Sequence, residues 1–293
     1  MKILVVDNTL FEGVIFRLLL EGNTVYHYNE WKESLEPSKK AYGEGVLDAF
    51  KNYKRIEDYA RYIDEVDVIV FTDVNNGGLA DDLRKKGYNV VGASKIGCDL
   101  EIHRGLFQKY GLFENIPKEI KVKSYGEAVK VLESGKFKKP VIKADSISDS
   151  SIKTYLSVGI DDALDHLRLL NEEGVFSGED GVLICEYIEG VEVAIGAFVS
   201  PKGFVEPFNL NFEHKPMFPG DIGPLTGEAG TVMFNINKDL DSTLITQVLK
   251  EHEDWYKENY GYTYVDINMI VSYEDGKPYI LEYTSRFGYP HIL

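Results

Sequence analysis

A chain of 293 residues is longer than one hydrophobic core usually serves, so two or three linked subdomains are expected. With 44% hydrophobic and 12% aromatic residues, burial can offset chain entropy, which excludes wholesale disorder. A formal net charge of -16 disfavours general electrostatic binding to nucleic-acid phosphates or anionic membranes, since both call for a basic surface, while a local basic pocket for a small phosphate ligand stays open.

Lys2 to Val6 is a β-rich run, followed by a turn and by apolar residues at helical spacing from Phe11 to Leu20, which together read as a βα unit. It is too short an apolar run for a signal peptide and has no small-residue cleavage site. A second run, Val66 to Phe71, leads through Asn75-Asn76-Gly77-Gly78 into a helical stretch to Lys86 and a strand from Tyr88 to Val91. This alternation predicts a parallel α/β sheet. The pattern changes at Gly92-Ala93-Ser94, and an amphipathic helix is expected from about Leu100 to Tyr110.

A smaller module begins at Ile120-Lys121-Val122, with buried strands expected at Pro140 to Lys143 and Gly181 to Cys185 and a helix from Asp161 to Leu170. Beyond Glu186 strands dominate, at Val193 to Val199, Phe204 to Phe208, Tyr264 to Val271 and Tyr279 to Tyr283, with a helix from about Thr243 to Tyr256. No window approaches the roughly 18 apolar residues of a spanning helix. Cys98 and Cys185 are the only cysteines and form no disulfide framework, so a soluble, cytoplasmic protein is expected.

Lys143 ends the apolar run Pro140-Val141-Ile142, where its ammonium suits a phosphate contact or simply snorkels from a strand end. The turn Ser146 to Lys153 offers hydroxyls and backbone amides that suit a polyphosphate, and equally suits a plain polar hairpin. The extended linker after Ile184-Cys185-Glu186-Tyr187-Ile188 exposes backbone groups able to read an adenine edge, and Glu192 suits ribose hydroxyls; a solvated acidic turn has the same composition. The run from Glu213 to Gly230, rich in Gly and Pro, is expected to be a long functional loop.

The turn Glu274-Asp275-Gly276-Lys277 joins two strands into a hairpin. Alternation places Asp266 with Asn268 on one face, and Glu282 with Thr284 on one face of the partner strand. If the two faces coincide, oxygen ligands converge as magnesium requires; cross-strand polar pairs on a wet face are the alternative.

Taken in order, these segments resemble the ATP-grasp family, in its glycinamide ribonucleotide synthetase (phosphoribosylamine-glycine ligase) branch. The resemblance rests on Gly92-Ala93-Ser94 with Leu100-Glu101, on Val141-Ile142-Lys143-Ala144-Asp145, and on Glu186-Tyr187-Ile188-Glu189-Gly190-Val191-Glu192. It continues through His214-Lys215, Gly220-Asp221-Ile222-Gly223-Pro224-Leu225-Thr226-Gly227 and Leu281-Glu282-Tyr283 with Arg286-Phe287-Gly288, and is faint before Val91.

The resemblance implies an α/β and α+β chain with the ATP-grasp fold, having a parallel-sheet pre-ATP-grasp domain at residues 1–98 and the ATP-grasp domain at 99–293. Its small lobe would span about 118–188 and its large lobe about 189–293. It implies that ATP and Mg2+ are used to activate a small-molecule carboxylate, with an amino acid as the candidate, as an acyl phosphate that an amine captures as an amide. Arg104, Lys143 and Lys153 would contact phosphates; Cys185, Glu186, Tyr187 and Ile188 would line the adenine; Glu192 would hold the ribose. Glu282 would bind magnesium, with Asp266, Asn268 and Thr284 as further ligand candidates. His214, Lys215, Asp221, Gly223, Thr226 and Arg286 would form the acceptor-substrate site, Lys215 and Arg286 with catalytic roles. A homodimer is compatible with this scheme.

The departures are specific. A serine-rich turn replaces the family's glycine-rich phosphate loop after Asp145, Thr284 replaces its metal-binding asparagine, and Arg104 replaces a phosphate-binding lysine. Gly227-Glu228-Ala229-Gly230 replaces its double-glycine substrate loop, and Asp7-Asn8-Thr9-Leu10-Phe11 stands where a glycine-rich turn is expected. The chain also stops at Leu293, before the family's further C-terminal domain, so a fragment or a shortened relative is expected. Altered substrates follow, and a non-catalytic nucleotide-binding relative or an ATP-grasp kinase are the alternatives to a ligase.

Overall fold

The computed structural model describes residues 1–8, 11–29, 43–103, 106, 110, 112–144, 154–177, 181–220, 222–236 and 243–288. Strand β1 (Lys2–Asp7) is buried from Ile3 onward, as a strand covered on both faces must be. Helix α1 (Glu12–Leu20) follows it, then β2 (Thr24–Asn29), β3 (Tyr53–Ile56), β4 (Val68–Phe71), α2 (Gly77–Lys85) and β5 (Val90–Ala93). These strands pair in parallel in the order β5-β4-β1-β2-β3. Strands β2 and β3 were not expected, because Tyr26, His27, Tyr28, Lys54 and Arg55 dilute their apolar signal. The order reverses between β1 and β4, which opens a crevice at the carboxyl ends of those two strands.

Helix α3 (Lys95–Ile102) starts five residues before the expected Leu100, because the Ser94 hydroxyl caps it by accepting from the Gly97 amide at 2.9 Å. Its last helical residue is Ile102, and most of the expected continuation toward Tyr110 falls outside the described residues.

The next layer is antiparallel. Strand β6 (Glu119–Val122), helix α4 (Tyr125–Glu133), strands β7 (Pro140–Lys143) and β8 (Thr154–Leu156), helix α5 (Ile160–Glu172) and strand β9 (Val182–Glu186) give a four-stranded sheet in the order β6-β9-β7-β8. Period-two alternation splits its faces: Ile142, Val182 and Ile184 pack on the helices with Leu132, Leu167 and Leu170, while Val141, Leu183 and Cys185 cluster on the other side.

Strands β10 (Gly190–Ser200), β11 (Gly203–Phe218) and β12 (Ile222–Ile236) follow, then helix α6 (Glu253–Asn259), the short β13 (Gly261–Tyr262), β14 (Tyr264–Ser272) and β15 (Pro278–Thr284). They build a five-stranded sheet, β12-β11-β10-β14-β15, while β13 leaves it to pair antiparallel with β5 of the first sheet. The expected Glu213–Gly230 loop is instead the heart of a long β11–β12 hairpin, with register shifts around Pro216 absorbing the residue that cannot donate to the ladder. The expected helix from Thr243 is irregular, running through a π-turn (Ile245–Leu249) and a 3-10 turn (Lys250–His252) before α6.

Candidate active site

The five-stranded sheet has two unlike faces. Val193, Ile195, Ile267, Met269 and Ile280 point into the core with Leu249, Tyr256 and Tyr283. The alternate positions form a polar floor. Register aligns Asn211, Ala194, Asn268 and Glu282 in one row, and Asn209, Gly196, Asp266 and Thr284 in the next. The faces of Asp266/Asn268 and Glu282/Thr284 therefore coincide. Ala194 and Gly196 keep the middle of the floor flat; a Cβ at Gly196 would collide with the Tyr264 hydroxyl group.

Lys215 reaches onto this floor from β11. Its Nζ lies 2.5 Å from Glu192 Oε1, 3.4 Å from Glu282 Oε1 and 3.5 Å from Glu213 Oε2. Burial alone would push this ammonium down, but the carboxylates of Glu282, Glu192 and Glu213 outweigh it and hold the pKa well above its ordinary value. Burial also raises Glu213, helped by Glu282 and Glu192 and opposed by Lys215. Asn268 donates to Glu282 Oε1 at 3.1 Å, and Asn211 donates to Asp266 Oδ2 at 3.0 Å. Burial lifts Asp266 to about 7, against the opposing Asn211 hydrogen bond.

The second face of the four-stranded sheet meets β15, the edge strand of the five-stranded sheet. One small cavity is lined by Glu119, Lys143, Leu183 and Cys185 from that sheet, by Ile280 and Leu281 of β15, and by Ile116 and Pro117. Lys143 and the residue preceding Glu282 thus border the same space. Cys185 lines it directly, whereas Glu186 turns away, accepting from the Lys118 amide at 2.8 Å and pairing with Lys118 Nζ at 3.3 Å. Tyr187, exposed beyond β9, packs its ring 5.6 Å from Lys139 Nζ, and Ile188 is half-buried in the same extended linker.

Other expected residues lie at the floor's ends. Thr226 donates to the Lys215 carbonyl at 2.7 Å, and His214 contacts the Phe218 carbonyl at 3.2 Å. Gly223 has φ +95°, a left-handed conformation at the hairpin turn. Arg286 pairs its Nε with Glu101 Oε1 at 2.9 Å and approaches Asp73 Oδ1 at 3.6 Å, facing the crevice of the parallel sheet, and its charge also reaches Asp266 on the floor, whose pKa it lowers. Arg104, Lys153 and Asp221 lie outside the described residues. Asn209, Asn211 and Glu213 were not anticipated, although with Lys215 they recur every second residue, the spacing of one strand face.

Among the described residues no group of three or more His, Cys, Asp or Glu is arranged to hold a metal ion. Glu282 nonetheless offers hard oxygen donors beside the position the Lys215 ammonium fills, and the Asn268 amide, which now donates to Glu282, would add its oxygen on turning over; such donors fit magnesium sharing its remaining positions with phosphate oxygens and water.

A parallel α/β sheet followed by two antiparallel sheets, with Lys143 of one and Leu281 of the other lining a common cavity, is the architecture of the ATP-grasp proteins. Residues 101–292 match the family described as "Phosphoribosylglycinamide synthetase, ATP-grasp (A) domain", and the chain belongs to that ligase family. It is 27% identical to the phosphoribosylamine--glycine ligase of Methanosphaera stadtmanae over 329 aligned positions, covering 100% of this chain and 68% of that relative. Its fold is similar to the crystal structure of phosphoribosylamine--glycine ligase from Thermotoga maritima, with TM-score 0.66 and 23% identity over 98% of this chain and 69% of the other. It is similar as well to N5-carboxyaminoimidazole synthetase from Staphylococcus aureus complexed with ADP, with TM-score 0.65 and 12% identity over 99% of this chain and 71% of that one.

Proposed function

We propose that this protein is an ATP-dependent carboxylate-amine ligase that forms an amide through an acyl phosphate, with substrate loops altered from those of phosphoribosylamine-glycine ligase. The carrying observation is that Lys143 of one sheet and β15 of the other, one residue from Glu282, border a common cavity. In this scheme Lys143 contacts the triphosphate, Cys185, Tyr187 and Ile188 flank the adenine, and Glu192 receives the ribose. Glu186 contributes through its backbone, because its side chain is engaged by Lys118.

Glu282 and Asn268 would hold magnesium, which when bound supplies charge neutralisation for the phosphates. Lys215, released from the carboxylates it now balances, orients the transferring phosphoryl group and the substrate carboxylate. Closure of the two sheets keeps water from the acyl phosphate. Asp266 and Thr284 form the adjoining row, and His214, Gly223, Thr226 and Arg286 border the acceptor side. Arg104, Lys153 and Asp221 keep their proposed phosphate and substrate roles. The same proposal places the pre-ATP-grasp domain at residues 1–98, the ATP-grasp domain at 99–293, and the protein in the cytoplasm, a location supported by its two buried free cysteines.

Mixing the protein with ATP, magnesium and a panel of amino acids and amines tests the scheme. ADP together with an amide, identified by mass, is expected. ADP with a phosphorylated product would make the protein a kinase, and ATP binding without ADP would make it a non-catalytic relative.

A further inference from the structure

Strand β12 closes one side of the five-stranded sheet, and among the described residues no strand pairs with its outer edge. That edge therefore turns backbone N–H and C=O groups toward water. Natural sheets keep such edges from pairing with lysines, prolines, inward charges or bulges. The stretch Ala229-Gly230-Thr231-Val232-Met233-Phe234-Asn235-Ile236 holds no charged residue and no proline, in a chain whose net charge is -16. Its pairing with β11 runs without a shift from Phe208–Ile236 to His214–Gly230, so no bulge twists it away.

The core also stops short of this edge. Along the row Ile195, Leu210, Phe234, exposure climbs from 0% at Ile195, through a partly buried Leu210, to 53% at Phe234. Val232, 58% exposed, and Phe212 lie on the same face, and the Phe212 and Phe234 rings meet edge to face with centroids 6.4 Å apart. The apolar side of the sheet thus runs on, uncovered, from the core to the free edge.

A free ladder is completed by another strand, whose backbone supplies the matching donors and acceptors. The residue pattern singles out which strand. A two-fold axis through Met233 pairs β12 antiparallel with its own copy so that Val232 meets Phe234, Thr231 meets Asn235 and Met233 meets itself. Apolar then stands opposite apolar and polar opposite polar, each pair on one face of the sheet. Moving the axis to Val232 sets Gly230 against Phe234 and Glu228 against Ile236, and moving it to Phe234 sets Met233 against Asn235. Because the paired stretch is uncharged, two copies of an anionic chain meet there without carboxylate facing carboxylate.

We infer that the protein is a homodimer joined through β12, its two five-stranded sheets running together across a two-fold axis at Met233. On the polar side Met233 ends the row of Asn211, Ala194, Asn268 and Glu282, so the copy's strand prolongs the floor beyond its open flank.

Sedimentation velocity on the full chain across a concentration series tests this. A species of twice the chain mass is expected, favoured by added salt, because screening relieves the repulsion between two chains of net charge -16. Met233→Lys sets two ammoniums against each other on the axis and should weaken association by at least about tenfold, with the circular dichroism of the parent retained. Met233→Cys should be joined to its copy by a short bis-maleimide. Ile222→Cys, exposed at the hairpin turn and far from the axis, should not, and the native Cys98 and Cys185 are buried. Should Met233→Lys not fold, the comparison of the two cysteine variants decides alone. A dimer that salt dissociates, a dimer indifferent to Met233→Lys, or equal cross-linking at the two cysteines would overturn the inference. So would a monomer at every concentration, which leaves the edge to a strand of another protein or to none.

Discussion

Replacing Lys215 with methionine keeps much of the side chain's length and removes its charge. Glu192, Glu213 and Glu282 would then share the floor with no ammonium among them, where one now lies 2.5, 3.5 and 3.4 Å from their nearest oxygens. Taking one partner from a fully buried ion pair costs about 3–5 kcal/mol. These side chains keep 16–32% of their exposure, so solvent screening reduces the figure to roughly 2–3 kcal/mol. At about 2 °C per kcal/mol for a chain of this length, the melting temperature should fall by ~4–6 °C in low salt without divalent ions.

Magnesium should then return part of the loss, because a divalent cation held at Glu282 replaces the missing positive charge beside Glu192 and Glu213 and stabilises the folded state by mass action. The size of the drop should hold through mildly alkaline buffer and shrink in mild acid, where Glu213, its pKa already raised and now without the opposing Lys215 charge, takes up a proton and relieves the carboxylates. The Lys215 pKa is raised in the folded state, so its stabilisation is complete below the ordinary 10.5 and is lost only as pH climbs through the higher folded value. Scanning calorimetry with and without magnesium reads all of this. An unchanged melting temperature, or a drop that magnesium leaves untouched, would refute the assignment of this floor as a cation site.

Glu282→Gln should lower magnesium-dependent ADP formation by about 100-fold while melting near the parent, since it removes a metal contact and not core packing; unchanged turnover rejects the metal role. Lys143→Met should weaken ATP binding by roughly 10- to 100-fold, the range for losing a hydrogen bond to a charged group, as read by calorimetric titration, and unchanged affinity places the triphosphate elsewhere. Burial, with Asp7 adding to it, raises Glu12 from 4.5 to about 7 against opposing backbone and Arg55 contributions. Its contribution to stability is therefore full below 4.5 and is lost as pH rises through about 7, so Glu12→Gln should flatten that part of the melting-temperature profile. Parallel profiles for the two proteins would contradict it.

Much of this architecture was legible because its strands carry continuous apolar runs, as at Ile3 to Val6 and Val68 to Phe71, or clean alternation, as at Val141 to Lys143. The pairing of Asp266 with Thr284 and of Asn268 with Glu282 follows from a period of two and a short turn. The β11–β12 hairpin was not legible, because Pro216, Pro219, Gly220 and Gly223 carry the local signature of a loop while the pairing that makes them strand and turn lies in the partner strand. Distance in sequence also hid the crevice. Nothing local to Asp7 announces Thr72, and nothing local to Glu101 announces Arg286. Nor does anything local to Arg286, expected on the acceptor side, announce its approach to Asp73 at the end of the first sheet.

The two-residue strand β13 carries a mechanical consequence. Gly261 and Tyr262 pair with Ala93 and Gly92, Ser94 bonds to the carbonyls of Asn259 and Tyr260, and Gly261, at φ +87°, leaves no room for a Cβ against the Ser94 amide. The parallel sheet and the five-stranded sheet are thereby spliced into a single anvil. Whatever swing admits a nucleotide falls to the hammer above it, the four-stranded unit from Glu119 to Glu186, whose tether to the anvil is the three-residue stretch from Tyr187 to Glu189 on one side and the segment before Glu119 on the other.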